Sequence, residues 1–408
     1  MKVTFIVGHL CKERHTLYHE LATDLGAQGA EVTVITGYPS RCSDEVRKYY
    51  LAHPIEKVAK NVTVKRVGSK AGEGKSLLGR MFRYLFLTRH LVKEALKTPT
   101  DVYYVNSTPP FLGWKNSKLK KVAPVMYNAQ DLFPDTLIHL KKFGEKNPMI
   151  KFFRKKEKDT YNGSTKIITI SNQMKNTIAN AGVDMDKIGV IYNWADTEKL
   201  YHVEKKDNAL MDELNIDKSK FIISYAGTVG FFQGWQCIIE TAKKLYQVNK
   251  DILFVIIGDG SYSEQFEKIV SDEDIKNILL LPMQPASRLP EIYSVGDVEL
   301  VPIEPGISKT SLPSKTFVVM ATGSPILSLV DEDSDVAKII KEKNLGYTMA
   351  HGDSEGLKDL ILKIYEERDS LPEKGKNALS FAKENVSRAG QTKKYFDVLS
   401  DLAGDKKE

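Results

Sequence analysis

The fold is indicated first by residues 2–37, KVTFIVGHLCKERHTLYHELATDLGAQGAEVTVITG. The run at 2–8 is apolar and β-rich, the segment at 17–29 is helix-like, and a second β-rich run follows at 31–37. This order predicts two parallel strands joined by a helix. The same alternation returns with the apolar runs VYYVN (102–106), PVMYNA (124–129), TKIITIS (165–171) and KIGVIYN (187–193). Near-continuous apolar strands between helices predict a parallel sheet that is covered on both faces.

A second series of strands begins after a polar stretch, rich in Lys and Asp, at residues 203–220. Its apolar runs are FIISYAG (221–227), DILFVIIGDG (251–260), NILLLPM (277–283), VELVPI (298–303) and SPILSLV (324–330). A chain of 408 residues is long enough for two cores. We therefore predict two doubly wound, Rossmann-like α/β domains that face each other. Because ligands bind at the carboxyl ends of parallel strands, we expect the site in the cleft between them.

The composition, 42% apolar and 27% charged, is that of a soluble globular protein. Cys11, Cys42 and Cys237 are odd in number and widely spaced, which argues against a disulfide framework and favours a reducing, cytoplasmic compartment. The amino-terminal apolar run is too short for a signal peptide. No stretch approaches the roughly 20 apolar residues that a membrane-spanning helix needs.

Residues 68–76, GSKAGEGKS, nearly match the phosphate-binding P-loop of a nucleotide hydrolase. The motif requires four residues between its glycines, whereas five separate Gly68 from Gly74. The preceding VTVKRV (62–67) alternates like an exposed edge strand, and a P-loop follows a buried strand. We therefore interpret this segment as a flexible basic loop. The GDG at 258–260 is interpreted as a tight turn after a buried strand.

Two carboxylate clusters resemble metal sites, DMD at 184–186 and DEDSD at 331–335. The first lies between a helix and a strand, as expected for a solvated turn. The second has Val336 where a calcium loop needs glycine, and we interpret it as the N-cap of a helix that begins near Asp335. The sequence therefore predicts no metal site.

Basic and aromatic residues alternate in two stretches, 75–93 and 141–158. The first stretch is helix-like, and such a helix either lies at an anionic membrane interface or is a core helix with solvated charges. No nucleic-acid-binding motif accompanies the charge, so we expect no nucleic-acid partner. His9 follows the first strand directly and is a candidate ligand contact at the carboxyl edge of the sheet, whereas His15 and His19 are interpreted as ordinary polar residues.

Residues 311–325, SLPSKTFVVMATGSP, predict a helix whose first turn binds an anion. Pro313 disfavours helical geometry before it, Ser314 is a candidate N-cap, and Lys315 stands beside it. Free backbone N–H groups, a hydroxyl and an ammonium together form a ready anion site.

Four segments occur together that carry a resemblance to a known family: YNAQDLFPDTLI (127–138), VIYNWADTEKL (190–200), SYAGTVGFFQGW (224–235) and LPSKTFVVMATGSPIL (312–327). They resemble family-4 retaining glycosyltransferases of the GT-B fold, in the bacterial branch of fucosyl- and N-acetyl-L-fucosaminyl-type transferases of O-antigen, colanic acid and capsule synthesis. The resemblance covers nearly the whole chain. Its most specific parts are DLFPD and the PSK…MATG segment.

The resemblance implies a domain order and a reaction. The acceptor-binding domain would comprise residues 1–202 together with a final helix at 388–408, and the donor-binding domain residues 203–387. The donor would be a UDP- or GDP-linked sugar, used as a co-substrate without any cofactor or metal. The acceptor would be a saccharide or a polyprenyl-diphosphate-linked sugar at the cytoplasmic face of the membrane. The leaving phosphate would itself accept the proton of the acceptor hydroxyl.

The site residues implied by the resemblance fall into two groups. Lys315, His9 and Asp131 would act on the reacting sugar and its leaving diphosphate. The donor would be bound by Gly8, Gly227, Thr228, Gly230, Gln233, Met283, Gln284, Leu312, Ser314 and Lys315.

The sequence departs from the family pattern at several positions. Thr310 and Val318 replace two glutamates, of which the second commonly holds the ribose. Thr228 and Gln233 stand near the positions of the usual Arg and Lys, and Gln130 replaces a common histidine. Lys315 supplies a substitute positive charge. These departures leave open a second hypothesis, a catalytically weak nucleotide-sugar-binding subunit of a polysaccharide assembly complex. An epimerase on the same fold would need acid and base residues that the sequence does not identify.

Overall fold

The computed structural model describes residues 1–11, 16–39, 42–69, 77–135, 138, 144, 146–306 and 314–404. The chain forms two compact units. The N-terminal unit comprises Met1–Tyr192 together with the C-terminal segment from Ala389, and the C-terminal unit comprises Asn193–Arg388. Thr310, Leu312 and the near P-loop from residue 70 to 76 lie outside the described residues.

The N-terminal unit is built on an eight-stranded sheet in the order β3-β4-β2-β1-β5-β6-β7-β8. Its strands are β1 (Lys2–His9), β2 (Glu31–Gly37), β3 (Ile55–Ala59), β4 (Val62–Val67), β5 (Val102–Asn106), β6 (Val125–Ala129), β7 (Lys166–Thr169) and β8 (Ile188–Val190). Only the β3–β4 pair is antiparallel. The central strands β5 and β6 are buried along their whole length, as expected for a sheet covered on both faces.

Three helices of this unit, α2, α5 and α6 in the list that follows, begin at side chains that cap them. They are α1 (Thr16–Ala27), α2 (Asp44–Ala52), α3 (Leu77–Ala95), α4 (Asn116–Leu119), α5 (Pro148–Gly163), α6 (Asn172–Asn180) and, at the other end of the chain, a helix at Arg388–Gly404. In α5, Pro148 occupies the first turn and the Asn147 side chain accepts from the Met149 N–H at 2.9 Å. The terminal helix is fixed to the unit by Tyr395, whose hydroxyl donates to Asn128 Oδ1 at 3.0 Å.

The C-terminal unit is built on a six-stranded, wholly parallel sheet in the order β11-β10-β9-β12-β13-β14. Its strands are β9 (Phe221–Thr228), β10 (Ile252–Asp259), β11 (Ile278–Leu281), β12 (Val298–Pro302), β13 (Ile326–Leu329) and β14 (Gly346–Met349). Its helices are α7 (Ala209–Glu213), α8 (Trp235–Val248), α9 (Ser263–Asp272), α10 (Leu289–Ile292), α11 (Ser314–Ala321), α12 (Asp335–Glu342), α13 (Ser354–Glu366) and α14 (Leu371–Asn385). The helix at Arg388–Gly404 is α15.

In each sheet, the strands are added first on one side of the first strand and then on its other side. This topological switch point lies between β1 and β5 in one unit and between β9 and β12 in the other. The carboxyl ends of strands at such switch points are where α/β sheets bind ligands. The predicted pair of Rossmann-like α/β units with parallel sheets is confirmed.

Some details differ from the sequence-based expectations. Residues 62–67 form β4, which is the second strand rather than the edge, because the short β3 pairs on its outer side. The division between the units falls at Tyr192/Asn193 instead of 202/203, since the Ala195 N–H donates to the Val386 carbonyl at 3.0 Å and so joins this segment to the C-terminal unit. In contrast, the prediction that DEDSD (331–335) caps a helix beginning near Asp335 is confirmed, since Ser334 is the N-cap of α12 and its hydroxyl accepts from the Ala337 N–H at 3.2 Å.

Candidate functional site

The turn after β9 brings backbone from two neighbouring strands into close contact. Gly227 has a φ of +137°, which favours glycine, and it pairs with Gly258 of β10 in the sheet register. A Cβ on Gly258 would overlap the Gly227 carbonyl oxygen, and one on Gly260 would overlap that of Val229. Gly258 and Asp259 thus belong to β10 rather than to the tight turn predicted for GDG (258–260), and the missing side chains let the backbone of β10 approach the end of β9.

Lys315 extends from the first turn of α11 to this same turn. Its Nζ lies 3.3 Å from the centroid of the Tyr225 ring and 2.8 Å from the point that a Cβ on Gly227 would occupy. Part of the side chain reaches the surface, but protein surrounds the ammonium, and this desolvation lowers the pKa of Lys315 to about 7 against an opposing effect of Glu299. No described residue accepts a hydrogen bond from this ammonium. Its cation–π contact therefore leaves its donors available to an anion.

Glu299 lies on β12 beside these groups and was not predicted as a site residue. Its side chain is completely buried and accepts a hydrogen bond from the Ser224 hydroxyl at Oε1. Burial raises the pKa of the Glu299 carboxyl to about 8, while Ser224 and Lys315 act in the opposite direction. The signal that could have identified it is a carboxylate within the otherwise apolar run VELVPI (298–303).

The loop that follows, at residues 228–234, is held by its own side chains. Gln233 Oε1 accepts from the Gly230 N–H at 2.9 Å, and the Gln233 carbonyl lies 2.9 Å from His351 Nε2. Thr228 is exposed, and its carbonyl accepts from the Tyr225 hydroxyl at 2.6 Å. Gly234 is left-handed, with a φ of +62°. Gln233 thus fixes the conformation of the loop. Its place near the usual basic residue of the family predicted a donor contact instead.

A cavity of about 440 Å³ opens at the carboxyl ends of β9, β10 and β11. It is lined by Val229, Ile256, Gly258, Asp259, Ser263, Phe266, Glu267, Leu280, Leu281, Pro282 and Met283. Met283 is 53% exposed at its mouth. Gln284 follows it and donates from Nε2 to the Pro282 carbonyl at 2.9 Å. The cavity combines apolar walls with a few polar groups, as small-molecule sites do.

The predicted anion-binding helix is α11, whose described part runs for eight residues from Ser314; Ser314, predicted as the N-cap, is its first described helical residue. Val318 lies on it and is partly exposed. Leu312 and Thr310 precede the described part of this helix and lie outside the described residues. The structure therefore brings Lys315, Gly227 and Gly258 together at the carboxyl edge of the C-terminal sheet.

The switch point of the N-terminal unit gathers a second polar group of residues. Gly8 packs so closely against the segment after β5 that a Cβ would lie 2.5 Å from Pro109 Cδ. His9 ends β1 and is partly exposed. At the end of β5, the Asn106 side chain is hydrogen-bonded to the Tyr18 hydroxyl. Of these residues, Gly8 and His9 are the two that the family resemblance assigns to the transferred sugar.

Asp131 follows β6 at the same edge. Asp131 is an exposed residue, yet the protein around its carboxylate desolvates that group and raises its pKa. Asp131 also interacts electrostatically with Tyr18, whose own pKa is raised mainly by burial. Tyr18 and Asn106 were not predicted; the signal for Asn106 is its place as the last residue of the buried run VYYVN.

The remainder of the DLFPD motif has a packing role. Asp135 accepts two hydrogen bonds from Arg154, at 2.6 and 2.8 Å, and Arg154 also bonds Glu157 at 3.1 Å. The Phe133 ring packs edge-on against Phe153 at 4.9 Å. A bidentate Arg–carboxylate pair fixes geometry well, so this part of the motif anchors α5 behind the site.

Neither a metal cluster nor a membrane-spanning helix is found in the part of the chain that the structure describes. No group of three or more His, Cys, Asp or Glu side chains there could hold a metal ion. None of the described helices is both long and apolar enough to cross a membrane.

Comparison with solved structures shows which fold this is. A sucrose-phosphate synthase from Thermosynechococcus elongatus has a TM-score of 0.77 at 14% identity, with 99% of both chains covered. The HepE protein of Anabaena, solved with UDP, has a TM-score of 0.72 at 14% identity, covering 98% of this chain and 100% of that one. WaaG, a glycosyltransferase involved in lipopolysaccharide biosynthesis, also has 0.72 at 14%, covering 97% and 99%. The fold is GT-B.

Relatives in sequence point to the same class of protein. The chain is 26% identical over 328 residues to an Escherichia coli (strain K12) protein named as the colanic acid biosynthesis glycosyl transferase WcaI, covering 74% of this chain and 76% of the relative. It is 24% identical over 238 residues to a Pseudomonas aeruginosa protein named as the glycosyltransferase WbjE, covering 58% of each.

The chain is a glycosyltransferase built from two Rossmann-like units. Residues 15–199 match the family described as Glycosyltransferase Family 4, and residues 206–381 match the family described as Glycosyl transferases group 1. The chain belongs to glycosyltransferase family 4.

Proposed function

We propose that this enzyme transfers a hexosyl group, with retention of configuration, from a nucleotide-diphosphate sugar to an acceptor of bacterial surface polysaccharide synthesis. One observation carries the proposal: the Lys315 ammonium lies beside the Gly227 turn, at the carboxyl edge of the sheet, with no acceptor among the described residues. An enclosed cation at a helix N-terminus suits a diphosphate.

The proposed chemistry follows from the charge of the leaving group. As the glycosidic bond breaks, negative charge grows on the departing diphosphate. Lys315 and the N–H groups of the first turn of α11 stabilise this charge more in the transition state than in the ground state. Since a fixed ammonium supplies the positive charge, we propose that transfer does not depend on a metal ion.

The donor would extend from the diphosphate turn into the 440 Å³ cavity, with its base near Met283 and Gln284. Solved relatives in fold support a nucleotide donor, since HepE was solved with UDP-glucose. We propose UDP or GDP as the nucleotide. His9 and Asp131 would contact the transferred sugar, and the leaving phosphate would accept the proton of the acceptor hydroxyl.

The acceptor is proposed to be a saccharide or a polyprenyl-diphosphate-linked sugar at the cytoplasmic face of the plasma membrane. The names of the relatives in colanic acid and lipopolysaccharide synthesis favour this class, and the resemblance favours a fucosyl- or N-acetylfucosaminyl-type donor. On α5, Met149 and Phe152 are 37% and 49% exposed beside exposed lysines. Such a surface suits peripheral contact with anionic lipid.

A thermal-shift screen with UDP, GDP, ADP and their common sugar conjugates tests the donor site. A ligand at a hundredfold excess over its dissociation constant stabilises a protein by about 2.7 kcal/mol, so one nucleotide class should respond. We expect Lys315→Ala to lose that response and Lys75→Ala to keep it. If Lys75→Ala loses the response while Lys315→Ala keeps it, the P-loop hypothesis replaces this one.

A second candidate is a nucleotide-sugar-binding subunit with little transferase activity. It is favoured by Val318, which stands on α11 where the family carries a ribose-binding glutamate. The two functions differ in a single-turnover assay with the responding nucleotide sugar. The transferase releases the nucleoside diphosphate when a saccharide acceptor is added, whereas the binding subunit retains the intact donor.

A further inference from the structure

Glu299 is a carboxylate in the interior of the C-terminal unit. It is 0% exposed on β12, opposite Ser224 of β9 in the sheet register. Oε1 accepts from the Ser224 hydroxyl, and a backbone N–H bond from Gly296 reaches the same carboxyl. Oε2 has no hydrogen-bond partner among the described residues. A buried carboxylate with one unpaired oxygen is costly when ionised and much less so when protonated.

Lys315 is the cation that acts on this carboxyl, but the two groups do not form an ion pair. The ammonium rests on the face of Tyr225, and its electrostatic effect on Glu299 is smaller than the effect of burial. Tyr293 is the other titratable group that faces Glu299, and its hydroxyl lies 3.4 Å from the Ala226 carbonyl oxygen. Burial raises the pKa of the Tyr225 and Tyr293 hydroxyls, so both stay neutral near pH 7.

We propose that Glu299 and Lys315 form a proton-holding pair that takes up protons from solvent when a diphosphate binds, so that the complex contains an ammonium at Lys315 and a carboxylic acid at Glu299. Glu299 is thus a positioning residue, which acts on the donor through the protonation state of Lys315. This inference rests on the proposed donor site.

The direction of the pH dependence follows from the two groups. The pKa of Lys315 is lowered to about 7 and that of Glu299 is raised to about 8. Below both values the pair carries a net positive charge, and above both it carries a net negative charge. A diphosphate favours the fully protonated form, so its affinity falls, and its proton uptake grows, as the pH rises through this range.

The test is calorimetric titration of UDP into the full-length protein, in two buffers of different ionisation enthalpy at each pH. At pH 8.5 UDP itself is fully ionised, because its secondary phosphate titrates near pH 6, so protons taken up there belong to the protein. We expect the wild type to bind more than about one proton per UDP at this pH, and Glu299→Gln, which keeps only the Lys315 titration, about one. At pH 7 the affinity of Glu299→Gln should stay within about threefold of wild type.

Two results would overturn the proposal. One is binding of UDP by the wild type without proton uptake at pH 8.5, which needs no variant to fold. The other is a loss of more than about tenfold in the affinity of a folded Glu299→Gln, because it would mean that the complex needs an ionised carboxylate. Absence of UDP and GDP binding would remove the donor site and this coupling together, whereas binding without uptake removes the coupling alone.

Discussion

At the scale of single residues, the lack of a side chain at Gly227 leaves room for the Lys315 ammonium. We expect Gly227→Ala to lower the affinity for the responding nucleotide by at least about tenfold, because the new Cβ would lie 2.8 Å from Lys315 Nζ. The φ of +137° adds about 1–3 kcal/mol of backbone strain in any non-glycine residue. Thermal shift without ligand measures the loss of stability, and calorimetric titration measures the loss of nucleotide affinity.

Gly352→Ala is the matched control for this change. Gly352 also has a positive φ, +108°, but no atom lies within 4 Å of its would-be Cβ. The control should lose stability through strain and keep its nucleotide affinity. If both variants lose affinity equally, the effect comes from instability rather than from the contact with Lys315.

The buried pair also predicts how stability depends on pH. The pKa of Glu299 is raised to about 8 in the folded state. The folded protein therefore holds a proton that the unfolded chain releases above about pH 4.3. The contribution of Glu299 to the free energy of unfolding consequently falls as the pH rises to 8. The pKa of Lys315 is lowered to about 7, so its contribution rises from pH 7 towards about 10.4. The pair is therefore least favourable near pH 7.5.

Urea unfolding of wild type and of the double variant Glu299→Gln/Lys315→Met measures this contribution at pH 5, 7.5 and 10. We expect the free energy of unfolding of the double variant to gain most over wild type at pH 7.5. Groups elsewhere cancel in the difference. A difference that is constant with pH would show that both groups keep ordinary pKa values in the folded protein.

At the scale of secondary-structure elements, α5 has two distinct faces. Ile150, Phe153 and Tyr161 are buried, whereas Met149 and Phe152 are exposed together with lysines. Each lysine near an anionic membrane surface contributes about 1 kcal/mol, so replacing three should weaken binding to vesicles containing phosphatidylserine on the order of a hundredfold. The variant is Lys151→Gln/Lys155→Gln/Lys158→Gln, measured by vesicle co-sedimentation.

A charge-matched control lies at α12 in the other unit. Lys338, Lys341 and Lys343 are all exposed, and their replacement by Gln removes the same net charge. Vesicle binding of this control should stay close to wild type. An equal loss in both variants would mean that net charge, and not the α5 surface, governs the interaction.

Most strands and turns are predictable because local patterns dictate them. The apolar runs around Phe221 and Ile252 are bounded by glycines that end strands, and the structure places β9 and β10 there. The start of α11 at Ser314 follows from Pro313 before it. The role of Gln233 could not be predicted from sequence. Its side chain accepts from the Gly230 N–H and its carbonyl contacts His351 Nε2, and tertiary folding is what brings His351 to this loop.

The role of Glu299 could be predicted from sequence only in part. Its neighbours along the chain are apolar, which reveals only that a carboxylate is buried. Its partners Ser224 and Lys315 come from another strand and from a helix, and its protonation depends on their placement. In contrast, Lys315 was predictable, because its position in the first turn of a helix is a property of adjacent residues.

At the scale of the whole molecule, the terminal helix α15 completes the N-terminal unit. Tyr395 is completely buried, and its hydroxyl bonds Asn128, which in turn bonds the Tyr104 hydroxyl at 2.5 Å. Tyr395→Phe leaves Asn128 Oδ1 without this donor, and we expect a loss of about 1–3 kcal/mol in the free energy of unfolding. Urea unfolding measures the loss.

Tyr201→Phe is the control, since Tyr201 is 59% exposed. It should leave the free energy of unfolding nearly unchanged. Tyr395→Phe should keep nucleotide affinity, because Lys315 and Gly227 lie in the other unit. A stability of Tyr395→Phe equal to that of wild type would show that another group satisfies Asn128.

The position of α15 in the chain has a consequence for synthesis on the ribosome. Residues 193–388 are continuous and precede α15, so the whole of this unit is synthesised before α15 is added. The N-terminal unit is synthesised earlier, but it must wait for α15 before Asn128 and Tyr104 are covered. Domains generally fold amino-terminal first as they are made. Here the order of completion is reversed, and chains released before residue 388 lack the helix that closes their first unit.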